Sequence, residues 1–168
     1  IKQKSQLLKN TETNADLKIF PLTHRSETLI SLSDVEIFYG ERKICSPENF
    51  SLYRGDRIAL YGKNGSGKSS LLKLINGENV LHSGTVNTAS GLIISYLPQH
   101  VDGMRGSLSE YAKSAEIPES LFKAILHKTD FPKKDFDADI SAYSAGQKRK
   151  VLLAESLCKK AHVYIWDE

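Results

Sequence analysis

The sequence predicts an α/β fold, and three observations carry that expectation. Residues 57–61 are short, apolar and β-compatible, lead into a glycine-rich loop over 62–69, and emerge into a helix-forming stretch that Asn76 and Gly77 close. Upstream, from Leu29, apolar and β-branched residues crowd into stretches punctuated by Gly40, the pattern of an antiparallel β layer. At the far end Val163, Tyr164, Ile165 and Trp166 read as a buried strand that delivers Asp167 and Glu168 at its C-terminal end, where ligands of parallel sheets sit.

Taken in order, residues 1–27 are polar with scattered apolar positions and a Pro21, the composition of a linker tail ahead of a domain over 28–168. Residues 29–39 and 43–52 read as strands. Leu71, Leu72 and Leu74 give 69–75 a helical character, and 84–87 and 92–97 are strand candidates, the second stopped by Pro98. Between Ser107 and Lys128 the period lengthens: Leu108, Tyr111 and Ala112, then Leu121, Phe122, Ile125 and Leu126, fall at helical spacing, so two short helices are expected. A charged loop follows with Lys133, Lys134, Asp135, Asp137 and Asp139. A helix from about 146 to 159, apolar at Val151, Leu152, Leu153 and Leu157, then leads to the last strand.

Composition narrows the class. With 168 residues, 40% hydrophobic and 26% charged, the chain has the make-up of one ordered globular domain, not of a disordered or collagenous protein. A net charge of +3 permits a polyanionic partner without demanding one. No apolar run approaches the roughly 18 residues of a membrane span, and the polar N-terminus lacks a signal-peptide core, so a cytoplasmic location is expected. Cys45 and Cys158 stand far apart and form neither a metal cluster nor a disulfide framework. The chain starts at Ile1, and Glu168 follows the final strand directly, which suggests a piece of a larger protein.

Gly62, Lys63, Asn64, Gly65, Ser66, Gly67, Lys68 and Ser69 match the phosphate-binding loop, between a strand and a helix as its mechanism requires. Glycines let successive N–H groups curl around a phosphate while the helix N-terminus adds partial positive charge. In that arrangement Lys68 bridges the β- and γ-phosphates, the Ser69 hydroxyl ligates Mg²⁺, and Ser70 extends the cradle into the helix, so ATP and Mg²⁺ are the expected ligands. Asp167 would hold the Mg²⁺ through water and Glu168 would polarise the attacking water; adjacent strand residues point to opposite faces, which suits two separate jobs. Ser144 is a natural N-cap for the following helix, whose exposed N–H groups form an anion site.

With these motifs in this order, the sequence resembles the ATP-binding-cassette (ABC) ATPases, whose signature is LSGGQ. It matches at Ser144, Gly146 and Gln147 and departs at Tyr143 and Ala145. The resemblance covers residues 28–168 and implies a P-loop NTPase core of ABC type with an antiparallel β subdomain and a short helical subdomain at about 104–143, truncated at the Walker B strand that carries Asp167. It implies that Tyr39 stacks on adenine. It also implies that Gln99, in Tyr96-Leu97-Pro98-Gln99, is the Q-loop glutamine sensing Mg²⁺ and the γ-phosphate. Two ATP molecules are sandwiched between paired cassettes in this family, so Ser144, Gly146 and Gln147 would face the nucleotide of a second cassette.

Residues 120–126 and 143–154 look like the second cassette of ABC-F proteins, particularly the bacterial group that protects ribosomes from lincosamides, streptogramin A and pleuromutilins. That likeness implies an ATP-switched ATPase acting on the ribosome and conferring antibiotic resistance, a second cassette on the same chain, and no membrane domain. Residues 1–27 would then end its linker, and Lys148, Arg149, Lys150, Lys159 and Lys160 could meet rRNA phosphates. The alternative is the nucleotide-binding subunit of a membrane transporter, partnered by a membrane domain. A third reading, a cassette that binds ATP as a structural switch, is suggested by Ala145 where the family has glycine. The family's histidine downstream of the glutamate has no counterpart here, so residues 1–168 are expected to bind ATP but hydrolyse it poorly.

Overall fold

The computed structural model describes residues 17, 19, 21–45, 49–99 and 103–167. Its spine is β1 (Thr28–Tyr39), which pairs antiparallel with β2 (Arg42–Cys45), β3 (Phe50–Tyr53) and β4 (His82–Thr88). Along β1 the buried side chains run Leu29, Ile30 and Leu32 and then shift phase to Val35 and Ile37. The shift comes at Asp34, whose φ of 52° is left-handed, and the pairing with β4 slips between Ser33 and Glu36. Gly84 sits opposite this bulge. A Cβ there would stand 2.3 Å from the Asp34 carbonyl oxygen, so only glycine fits.

After β3 the chain reaches α1 (Lys68–Ile75) through 54–67, and the strand expected over 57–61 does not form. The apolar pattern is real, but a strand exists only through ladder hydrogen bonds, and no described strand pairs with these residues. Ile58 is consequently 54% exposed, Leu60 42% and Tyr61 89%. α1 does find its place: Leu74 and Ile75 bury against the inner face of β1 and against Ile165.

The parallel part of the fold is the pair β5 (Ile94–Leu97) and β6 (Val163–Trp166), in register from Ile94 opposite Val163 to Leu97 opposite Trp166. Between them the chain builds a helical lobe from α2 (Leu108–Ser114), α3 (Glu119–Lys128), short 3-10 turns at Lys133–Asp135 and Ile140–Ala142, and α4 (Ala145–Cys158). Its core of Leu108, Phe122, Leu126, Ile140 and Val151 is fully buried. Ser107 starts α2 with a capping box: its Oγ accepts from the Glu110 N–H while Glu110 accepts from the Ser107 N–H at 2.7 Å.

Most of the expected linker tail lies outside the described residues, but 21–27 are laid against the domain. The Leu22 N–H donates to the Ala161 carbonyl at 2.8 Å, and Arg54 donates to the His24 carbonyl at 2.8 Å. His24 is buried; its Nδ1 accepts from the Ser26 N–H at 3.0 Å, which leaves Nε2 to donate to the Ser90 carbonyl at 3.1 Å. Among the described residues no helix is long and apolar enough to cross a membrane.

Candidate functional site

The glycine-rich loop meets α1 through Gly67, whose φ of 91° is left-handed, and Gly65 in the same loop has φ 76°. Such backbone turns successive N–H groups toward one side. No side chain caps the start of α1, so these donors are not taken by a cap of the helix's own. Gly62, Asn64 and Gly65 are exposed and Ser66, Gly67, Lys68, Ser69 and Ser70 half-buried. The Lys68 ammonium folds back on the loop, donating to the carbonyls of Gly62 at 2.9 Å and Lys63 at 3.0 Å. A nucleotide's phosphates would compete for it with two neutral acceptors, an exchange that charge favours.

Ser69 points across the molecule. Its hydroxyl donates to Oδ1 of Asp167 at 3.0 Å, joining the start of α1 to the end of β6. Asp167 is only 6% exposed, and its other oxygen faces the Tyr96 hydroxyl at the 3.5 Å limit of a hydrogen bond. A hydroxyl and a carboxylate converging at a parallel-strand end form the hard-oxygen donor set that Mg²⁺ prefers, and these two residues would hold it. Tyr96 is held proton-bound: burial first, then the carboxylates of Asp167 and Glu78, push its phenol up to about 12. Sequence reasoning missed Tyr96 as a site residue. Its signal was position alone, on the strand that leads to Gln99.

The signature turn is built on the helical lobe. Ser144 caps α4 in a capping box, its Oγ accepting from the Gln147 N–H at 3.3 Å while the Ser144 N–H donates to Gln147 Oε1 at 2.9 Å. The Gln147 amide also donates to the Asp135 carboxylate at 2.5 Å, and the buried Tyr143 hydroxyl donates to the Asp135 carbonyl at 2.6 Å. Ser144, Ala145 and Gly146 remain exposed, and no heavy atom stands near the position a Cβ on Gly146 would take. Ala145 is the first residue of α4 and is not among the positive-φ residues. The strain that suggested a binding-only switch is therefore absent.

Other expectations fare differently. Tyr39 ends β1 80% exposed, and its side chain makes no hydrogen bond or ring contact among the described residues, so its face is open. Gln99 is exposed just past β5, with its carbonyl accepting from Arg149 at 3.4 Å. Glu168 lies outside the described residues. In the basic set on and just after α4, Lys148 donates to the Ser141 carbonyl at 3.2 Å, Lys150 to the Asp130 carbonyl at 3.1 Å, and Lys159 pairs with Glu155 at 2.6 Å. Arg149, half-buried, reaches the backbone at the ends of β5 and β6. Helix C-termini and strand ends present carbonyls that cationic side chains satisfy, and periodicity does not display them.

Comparison with known proteins gives the family and the fold. The family model described as "ABC transporter" matches residues 45–168. The "Zinc import ATP-binding protein ZnuC" of Marinobacter nauticus is 28% identical over 146 residues, 85% of this chain and 56% of that protein. The "Probable ATP-binding protein YheS" of Escherichia coli K12 is 30% identical over 145 residues, 83% of this chain and 23% of that protein. Among solved structures, the "Putative ABC transporter (ATP-binding protein)" from Pyrococcus furiosus superposes with a TM-score of 0.67 at 21% identity, covering 82% of this chain and 74% of that one. The chain thus spans about half the length of the zinc-import relative and about a quarter of the YheS protein.

Proposed function

The chain belongs to the ABC transporter family of ATP-binding cassettes, and from that premise we propose that it binds Mg²⁺ and ATP through the phosphate loop and hydrolyses ATP in partnership with a second cassette. The observation that carries this reading is the Ser69 to Asp167 hydrogen bond, which joins the hydroxyl of the phosphate-loop helix to a buried carboxylate. Bound there, Mg²⁺ would supply charge neutralisation at the β- and γ-phosphates. The chain's own residues do the rest: Gly65 and Gly67 shape the N–H cradle, Lys68 holds the phosphate chain, Tyr39 stacks on the base, Gln99 senses the γ-phosphate, and Glu168 orients water. Ser144, Gly146 and Gln147 would close over a nucleotide held by the second cassette. Because each site then needs two cassettes, residues 1–168 alone bind ATP and turn it over slowly.

At the level of biological role, we propose an ABC-F type ATPase of the cytoplasm acting on the ribosome, with antibiotic resistance of the lincosamide, streptogramin A and pleuromutilin type as its outcome. The compact helical lobe and the likeness of residues 120–126 and 143–154 to ABC-F second cassettes support it. The second reading, the ATP-binding subunit of a membrane transporter, is favoured by the zinc-import relatives. One experiment separates them. Full-length protein carrying Glu168→Gln, which should hold ATP without releasing it, is centrifuged with 70S ribosomes with and without ATP. ATP-dependent cosedimentation supports the ribosomal role; tight ATP binding with no cosedimentation moves the assignment to a transporter.

A further inference from the structure

The half-buried side chain of Arg149 on α4 reaches the ends of both parallel strands. Its Nη1 donates to the Pro98 carbonyl at 2.6 Å and, more weakly, to the Gln99 carbonyl at 3.4 Å, while Nη2 donates to the Asp167 carbonyl at 2.8 Å. These carbonyls lie just past β5 and β6, where the Asp167 N–H donates in turn to Leu97 at 2.9 Å. Acceptors beyond a strand end have no ladder partner, and a planar guanidinium serves both segments at once from a fixed fork of donors, a geometry that the rotatable ammonium of lysine does not pre-set.

The same helix begins at Ser144. One rigid element therefore carries the signature turn at its tip and grips, part-way along, the backbone of the residue whose side chain meets Ser69. We propose that Arg149 is a positioning residue that couples the signature helix to the metal-holding carboxylate of Asp167 and to the Gln99 segment of the same cassette. The inference rests on the Mg²⁺ and ATP reading above. Movement of α4 when a second cassette engages it would be delivered to Asp167 and Gln99 through this one side chain, which itself touches no nucleotide.

The test compares wild-type, Arg149→Lys and Arg149→Gln in the full-length protein. Affinity for a fluorescent ATP analogue is measured in EDTA and again across a Mg²⁺ titration, alongside kcat, KM and the melting temperature. Binding in EDTA should stay within about twofold of wild-type, because the phosphate loop is untouched. The Mg²⁺ concentration for half-maximal tightening should rise roughly 10-fold, and kcat should fall by about the same factor with KM little changed. Arg149→Lys should restore melting better than it restores the Mg²⁺ response. The proposal is overturned if folded Arg149→Gln keeps its Mg²⁺ response and kcat within about twofold of wild-type. It is equally overturned if EDTA binding falls in step with everything else, or if neither variant folds, since Arg149 is then a stability residue only. A wild-type protein that binds no nucleotide would overturn the reading beneath the inference and the inference with it.

Discussion

The starts of α1 and α4 are both helix N-termini set in motifs for nucleotide chemistry, yet their peptide N–H groups are handled in opposite ways. α1 begins at a left-handed Gly67 with no side-chain cap, leaving its donors to solvent or ligand. α4 begins at Ser144 in an extended conformation and closes a complete capping box with Gln147, which is itself pinned to Asp135. The first terminus is shaped by backbone freedom, the second by side-chain hydrogen bonds. A site that must wrap a phosphate needs unspent donors, whereas a turn that must be presented to a neighbouring cassette needs a fixed shape before the neighbour arrives.

The largest test of that contrast is Lys68→Ala. ATP hydrolysis in the full-length protein, followed by phosphate release, should fall roughly 100-fold or more. The melting temperature should barely move, because among the described residues the lost ammonium bonds to exposed loop carbonyls. Next comes Ser69→Ala, which removes a proposed metal donor and the hydrogen bond that orients Asp167. The Mg²⁺ requirement for ATP-analogue binding should rise roughly 10-fold while binding in EDTA persists. An unchanged Mg²⁺ titration would break the assignment of the pair.

At α4 the expected losses are in stability. Ser144→Ala should cost about 1 kcal/mol in urea unfolding of the intact protein, from the missing cap. Combining it with Gln147→Ala should cost less than the sum of the two single changes, since either one opens the same box. Strict additivity would show that the two ends of the box act independently. The smallest effect belongs to Ala145→Gly. The residue is helical and unstrained here, so restoring the family's glycine should leave kcat within about twofold and lower stability by less than about 1 kcal/mol. A several-fold gain in turnover would mean that α4 unwinds at its tip in the closed state.

Much of this was legible from residue pattern. The glycine spacing of the phosphate loop, the helical period through Phe122 and Leu126, and the apolar run before Asp167 each name a local structure whose causes are local. What escaped depends on partners. Residues 57–61 have a strand's composition, but composition does not supply the neighbour that makes a strand. Asp34 shifts the burial phase of β1 through a left-handed φ that alternation does not encode. Arg149 reads as one more cation on a charged helix face. Its inward course is set by carbonyls at two strand ends distant in sequence, and no spacing rule contains them.

The helical lobe has a consequence for how the protein is made. It lies within the crossover between β5 and β6, so the parallel ladder closes a long loop, and closure entropy grows with the length of chain left unstructured. A lobe with its own buried core can collapse from local contacts first and bring its two ends close, after which the ladder forms across a much shorter gap. The meeting of Ser69 with Asp167 depends on the strand that this ladder places, and in that order it would follow collapse of the lobe. On the proposed reading, the two side chains expected to hold Mg²⁺ would then come together only after the lobe has its shape.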